Sequence, residues 1–130
     1  MDPFDLAVIG GGAAGFMSAI TAAENGVKRI IILEGSSKIM EKIRISGGGR
    51  CNVTNATWIP NELAENYPRG GISLLESFNR FAAGDVFDWF EKRGLKLKIE
   101  EDQRVFPVSD SSSDVINCLK KGAIKRHVKI

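Results

Sequence analysis

The sequence predicts an α/β fold that begins with a strand, a helix and a second strand. A short apolar run, Leu6–Ile9, leads into a glycine cluster, and residues 13–25 then read as a small-residue helix that Gly26 can stop. Residues 29–33 are β-branched and do not alternate, which is typical of a parallel strand covered on both faces. Residues 128–130 are expected to begin a further strand, so the domain is predicted to be incomplete.

Helices and a small β-hairpin are predicted after this unit. Apolar side chains recur at helical spacing at Leu74, Leu75, Phe78 and Phe81. A second helix is expected to run from an Asp85 cap, with Asp88 in its first turn, to Gly94. Both helices are predicted to pack on the strand–helix–strand unit.

The remaining segments are predicted from turn residues and alternation. Residues 35–55 are rich in Gly, Ser, Asn and Thr and predict an extended functional loop. Apolar residues alternate over 95–99 and return at 105–106, which indicates an antiparallel hairpin ended by Pro107. Ser113 or a neighbouring serine is expected to cap a last helix that continues through Lys121.

Composition indicates a single cytoplasmic domain. The 130 residues are 43% hydrophobic and 26% charged, and the formal net charge of +2 is too small to predict a nucleic-acid partner. No apolar run approaches the ~18 residues of a membrane span, and the first residues lack the basic region of a signal peptide. Cys51 and Cys118 lie far apart in unlike contexts, which favours reduced thiols over a disulfide or a metal site.

The glycine cluster after the first strand has the spacing of a dinucleotide-binding fingerprint. Gly10 permits a tight turn, Gly12 lets a pyrophosphate approach the backbone, and Gly15 lets helix and strand pack closely. The first N–H groups of the helix and its dipole attract phosphate. Glu34, after the second strand, is expected to accept hydrogen bonds from adenosine ribose and to disfavour the 2′-phosphate of NADP. The context predicts a Rossmann-like FAD/NAD(P)-binding βαβ unit.

A second glycine cluster lies within residues 45–55. Gly47, Gly48 and Gly49 expose backbone N–H groups, and Arg50 adds a cation beside polar amides. This pattern predicts a second anion-contacting loop, and the alternative interpretation is a flexible polar loop.

These motifs together resemble the bacterial HI0933-like flavoproteins. The resemblance rests on the fingerprint, Glu34, the Ser-Gly-Gly-Gly-Arg-Cys-Asn segment at 46–52, Thr54 with Asn55, and Arg-Val-Phe-Pro at 104–107 with Ser109. It covers essentially the whole chain. That family groups NAD(P)/FAD-dependent oxidoreductases, including aminoacetone oxidase-like members. The resemblance therefore implies FAD as cofactor and leaves NAD(P)H open as electron donor.

The resemblance also implies which residues meet FAD. The pyrophosphate is assigned to Gly10, Gly12, Ala13, Ala14 and Gly15, and the adenosine ribose to Glu34. The ribityl chain and isoalloxazine edge are assigned to Gly47, Gly48, Gly49, Arg50, Cys51 and Asn52, with Ser46 in the same segment and Lys42 near the cofactor. Such flavoproteins are several hundred residues long, so residues 1–130 are expected to form the N-terminal part of a FAD-binding domain. A missing C-terminal portion or a partner chain would supply the substrate domain.

No catalytic residue is assigned from the sequence, because in flavin enzymes the redox step takes place on the isoalloxazine ring. Cys51 lacks a Cys-x-x-Cys partner and is interpreted as structural or cofactor-lining. His127 lies in a basic tail without a visible carboxylate partner. Helix capping and dipole effects explain Asp85 and Asp88. Aromatic residues at helical spacing are expected to form core rather than line a flavin: Phe78, Phe81, Phe87, Trp89 and Phe90.

Two functional hypotheses follow from the sequence. The first is the FAD-binding portion of a flavin-dependent oxidoreductase that acts on an unknown small molecule. The alternative is a truncated or non-catalytic dinucleotide-binding module. The two are distinguished by whether the full-length protein contains bound FAD and catalyses a redox reaction.

Overall fold

Residues 3–130 form two small sheets, six helices and one 3-10 turn. A computed structural model describes residues 3–130. The strands are β1 (Leu6–Ile9), β2 (Ile30–Leu33), β3 (Thr54–Asn55), β4 (Leu97–Ile99) and β5 (Arg104–Pro107). The helices are α1 (Ala13–Glu24), α2 (Glu41–Ile45), α3 (Pro60–Glu65), α4 (Gly71–Arg80), α5 (Ala83–Glu91) and α6 (Ser112–Lys125), and the 3-10 turn is Ser46–Gly49.

The predicted strand–helix–strand unit is present. Strands β1 and β2 pair in parallel with Leu6 opposite Ile30, and α1 connects them. The sheet continues beyond β2, because Ile32 N donates to Lys129 O at 2.8 Å and Lys129 N donates to Ile30 O at 2.9 Å. The predicted start of a further strand at residues 128–130 is therefore confirmed as a single parallel bridge to β2.

The predicted hairpin is also present and has a third strand. Strands β4 and β5 are antiparallel, and β3 pairs with the other edge of β5. Strand β3 had not been predicted, because its two residues are polar and lie in a segment without alternation. The hydroxyl of Thr54 donates to the carbonyl of Ala83 at 3.3 Å, which joins this sheet to the start of α5.

The core lies between the parallel sheet and two helices. Phe16 and Ile20 of α1 pack with Ile30 of β2 and with Leu119 of α6, and all four are fully buried. Helix α6 runs past the predicted end at Lys121 to Lys125. In this last part Ala123 is buried, and Gly122 lets the helix approach the Ile20 side chain closely. This packing holds the N-terminal end of α1 in a fixed position.

Three local predictions were wrong. Helix α5 begins at Ala83, and Asp85 lies inside its first turn, where its carboxylate accepts a hydrogen bond from Ala82 N at 2.7 Å. Asp88 consequently lies in the middle of the helix. The expected loop over 35–55 contains α2, whose Ile43 is buried, as well as the 3-10 turn.

Among residues 3–130, no helix has both the length and the apolar character that a membrane crossing requires.

Helix α4 and the aromatic residues follow the predicted pattern in part. Helix α4 covers the predicted apolar positions up to Arg80, and Phe81 lies just beyond its end with 44% of its surface exposed. Trp89 and Phe90 of α5 are buried, as a core role requires. Helix α4 packs mainly against α3 rather than on the parallel sheet.

Candidate functional site

The turn between β1 and α1 brings the helix against the strand. Gly10 N donates to Leu33 O at 2.8 Å, which fixes the turn beside the end of β2. A Cβ atom on Gly15 would overlap the carbonyl oxygen of Gly10. Glycine at position 15 therefore allows α1 to start directly above β1, with its N-terminal end at the carboxyl edge of the sheet.

A groove of about 480 Å³ opens at this end of α1. Gly12, Ala13 and Ala14 form one side, and Glu34 stands on the other side at the end of β2. The first N–H groups of a helix have no partner within the helix, and its dipole gives this end a partial positive charge. The groove therefore favours an anionic group at α1 and hydrogen-bond donors at Glu34.

The carboxylate of Glu34 is fixed by the backbone. Its two oxygens accept hydrogen bonds from Gly11 N and Ser36 N, each at 2.8 Å. These bonds, first that from Ser36 and then that from Gly11, hold the pKa of the Glu34 carboxyl below its usual range. Since a carboxylate has about four acceptor sites, it can still accept hydrogen bonds from ligand hydroxyls.

The lowered pKa of Glu34 predicts an acid-linked loss of stability. A carboxyl group with a depressed pKa in the folded state stabilises that state above its unfolded pKa, and the contribution disappears as the pH falls. When the pH is lowered from neutrality to about 3.5, the wild type should lose more unfolding free energy than Glu34→Gln. Denaturant titrations of both proteins at the two pH values measure this difference. Equal losses in the two proteins would show that the carboxylate is not stabilised by folding.

A second, mainly apolar cleft of about 320 Å³ adjoins the groove. Ala13, Lys42 and Ile43 line both cavities, so the two cavities are neighbours at the start of α1 and at α2. Helices α1, α5 and α6 contribute apolar walls. Ser46 and Cys51 provide polar atoms at one side. A polar cavity at Glu34 and an apolar cavity therefore lie side by side.

The segment 46–52 forms a tight loop beside this cleft. Gly47 has a φ of +56°, and a Cβ there would lie 2.8 Å from both the Phe106 ring and Asn52 N. Cys51 N donates to Ser46 O at 3.0 Å, which closes the loop. The thiol of Cys51 is buried against the cleft, and burial raises its pKa. The thiol is therefore protonated at neutral pH, as a lining rather than a nucleophilic role requires.

The structure brings most of the predicted residues together, but not all of them. Gly12, Ala13, Ala14, Glu34 and Lys42 border the groove, and Ser46, Cys51 and Asn52 border the cleft. Gly10 and Gly15 shape the turn below the groove. Gly47, Gly48, Gly49 and Arg50 line neither cavity. The predicted contacts of all these residues with a cofactor stay predictions.

Several lining residues had not been predicted. Ser36 and Lys38 border the groove, and their position just after Glu34 was the available signal. Phe81 and Phe90 line the cleft, although their helical spacing indicated only core packing. Within residues 3–130, no group of three His, Cys, Asp or Glu side chains is placed to hold a metal ion.

Comparison with known proteins identifies the domain. Residues 4–130 match the Rossmann domain of HI0933-like proteins. The chain belongs to the HI0933-like family. This HI0933-like domain is 32% identical over 126 residues to the 3-dehydro-bile acid delta(4,6)-reductase of Clostridium scindens, a match that covers 96% of the chain and 30% of the reductase. It is also 32% identical over 119 residues to the ribosomal RNA dihydrouridine synthase of Escherichia coli, covering 92% of the chain and 28% of that protein.

A solved structure shows the same fold. The crystal structure of Thermovibrio ammonificans THI4 matches 97% of the HI0933-like chain and 37% of its own chain, with a TM-score of 0.61 and 12% identity. The predicted α/β fold and family are thus confirmed. The chain spans about 30% of the length of the curated relatives it matches.

Proposed function

We propose that this domain binds FAD as the nucleotide-binding portion of a flavin-dependent oxidoreductase. The observation that carries the proposal is that the polar groove at α1 and the apolar cleft beside residues 46–52 lie side by side and share Ala13, Lys42 and Ile43 as lining residues. FAD has a polar, doubly charged pyrophosphate between an adenosine and a flat aromatic ring, and this order of chemistry matches the order of the two cavities.

The groove fits the ADP half of FAD. Gly12 at the N-terminal end of α1 has open space where a Cβ would stand, so a pyrophosphate can approach the helix N–H groups. The carboxylate of Glu34 faces the same groove and can accept hydrogen bonds from the two ribose hydroxyls. Its negative charge opposes a 2′-phosphate, which favours FAD or NAD over NADP at this site.

The apolar cleft distinguishes FAD from a smaller nucleotide. Its walls suit a ribityl chain and the edge of an isoalloxazine ring, and Ser46, Cys51 and Asn52 supply the nearby polar atoms. When bound, FAD supplies the ring that accepts and releases electrons. The task of this chain is then to orient the cofactor and to exclude water from its inner face.

The substrate and the electron donor are proposed from the composition of this domain and from its relatives. One similar protein is named a reductase and another a synthase that acts on ribosomal RNA, and the chain matches about 30% of each. We propose a small-molecule substrate, because the net charge of +2 on this domain is too small to predict a nucleic-acid partner. We also propose that NAD(P)H is the electron donor and that a remaining portion of the protein carries the substrate domain. The proposed location is the cytoplasm. Both cysteines are free, in keeping with a reducing compartment.

The intact protein is therefore expected to purify with bound flavin. Under anaerobic conditions, NADH or NADPH should bleach the flavin absorbance, and a suitable electron acceptor should restore it. Spectra recorded after rapid mixing with each nucleotide measure this. If the protein retains FAD but neither nucleotide reduces it and no acceptor is turned over, the non-catalytic module is favoured. An intact protein that takes up no FAD would contradict the proposal.

A further inference from the structure

The guanidinium of Arg50 points away from the two cavities. One of its nitrogens lies 2.9 Å from the carboxylate of Glu100 and 3.4 Å from that of Asp110. Its carbon centre stands 3.8 Å from the centroid of the Phe106 ring. The side chain is 31% exposed, so these contacts form in a partly desolvated place where ion pairs and cation–π contacts are stronger than at a free surface.

The partners of Arg50 belong to the β4–β5 hairpin and its flank. Glu100 follows β4 directly, and Asp110 follows β5. Asp110 is itself anchored, because Lys98 Nζ lies 2.7 Å from its second oxygen. The Arg50 side chain thus connects the segment 46–52 to two residues that are distant in sequence, Glu100 and Asp110.

The backbone beside Arg50 depends on an external support. Gly48 and Gly49 have φ values of +67° and +88°, and Cys51 has a φ of +62°, a left-handed conformation that is unfavourable for a residue with a side chain. Gly47 meets the edge of the Phe106 ring, while Arg50 lies over the same ring. The loop is therefore held on Phe106 by two contacts, and Arg50 provides the charged one.

We propose that Arg50 is a positioning residue, which locks the segment 46–52 onto the hairpin through Glu100, Asp110 and Phe106. The lock holds Ser46 and Cys51 at the wall of the cleft, and the guanidinium itself does not touch the cofactor. This inference rests on the proposed function for its effect on FAD. Glu100 lies outside both cavities, and the inference predicts that it nevertheless affects the affinity for the cofactor.

The test compares Arg50→Met, Arg50→Lys and Glu100→Gln with a matched control, Arg104→Met. Arg104 belongs to the same hairpin, pairs with Asp102 at 2.6 Å, approaches Glu100 no closer than 3.9 Å and lies 5.2 Å from the centroid of the same ring, so its contacts with the partners of Arg50 are longer than those of Arg50 itself. Hydrogen exchange of the amides of residues 47–52 is measured without FAD on the intact protein, and the Kd for FAD is measured by calorimetry. Thermal unfolding identifies any variant that fails to fold.

Arg50→Met should speed exchange in the loop and raise the Kd for FAD, each about tenfold or more, as expected for the loss of a charged hydrogen-bonded pair. Glu100→Gln should change both in the same direction by less, because Asp110 remains, and Arg50→Lys should lie between Arg50→Met and the wild type. Arg104→Met should stay within about twofold of the wild type. Unchanged exchange in both Arg50→Met and Glu100→Gln, or faster exchange with an unchanged Kd, would overturn the inference. A wild type that binds no FAD contradicts the proposed function, while the exchange rates still decide whether Arg50 locks the loop.

Discussion

Replacement of Gly15 by alanine is expected to lower the free energy of unfolding by about 3 kcal/mol. The new Cβ would overlap the carbonyl oxygen of Gly10, and the backbone on both sides of this contact is fixed by neighbouring hydrogen bonds. Relief of the overlap requires α1 to move away from β1, which disturbs the packing of Phe16 in the core. Denaturant unfolding of wild type and Gly15→Ala, followed by circular dichroism, measures the loss.

Gly84→Ala is the matched control for this substitution. Gly84 lies within α5, and a Cβ there would make only an ordinary contact with the Trp58 ring, at 3.5 Å. Alanine is the better helix former, so this variant should be as stable as the wild type or more stable by about 0.5–1 kcal/mol. If Gly15→Ala were as stable as Gly84→Ala, the close contact between α1 and the turn would not exist in solution.

Replacement of Gly12 by alanine is expected to abolish most FAD binding while leaving the fold intact. A Cβ at this position meets no protein atom within 4 Å, and the φ of −91° suits any residue. The loss of stability should stay below about 1 kcal/mol, the usual effect of a changed N-cap. The added methyl group would occupy the place where a pyrophosphate approaches the helix. Hydrogen bonds to a charged group contribute about 1.5–3 kcal/mol each, so the loss of such bonds between the helix N–H groups and the pyrophosphate should raise the Kd for FAD about 100-fold.

Calorimetric titration of the intact wild type and Gly12→Ala with FAD tests this expectation, and denaturant unfolding of both proteins serves as the control for folding. A variant that is as stable as the wild type but binds FAD with the same affinity would place the pyrophosphate elsewhere. The two glycine substitutions therefore separate a role in packing, at Gly15, from a role in ligand approach, at Gly12.

The strand–helix–strand unit could be predicted because its signals are local. The glycine spacing and the β-branched run of β2 are short-range patterns, and the structure reproduces both within a residue. The prediction of Asp85 as the N-cap was wrong, because the residue is the third of the helix and accepts a hydrogen bond from the N-cap N–H. An acidic residue can serve in either position, and the sequence does not distinguish them. Helix α2 was missed, since five residues carry too little periodicity and its formation depends on burial of Ile43.

The candidate site divides in the same way. Gly12 and Glu34 border one groove because the unit that carries them is encoded locally. The orientation of Arg50 could not be predicted from its own segment, because its partners Glu100 and Asp110 are distant in sequence and come close only through the β4–β5 hairpin. A glycine-rich loop with an arginine has the same appearance whether the cation faces a ligand or the protein.

Competition between FAD and its fragments shows which part of the cofactor the groove holds. The intact protein is titrated with FAD in the presence of ADP or of FMN, which represent the two parts of the cofactor. If the groove between the start of α1 and Glu34 holds the ADP half, ADP should displace FAD competitively and Glu34→Gln should weaken both ligands. FMN, which lacks the adenosine, should compete poorly. Failure of ADP to compete, or displacement of FAD by FMN alone, would contradict this account.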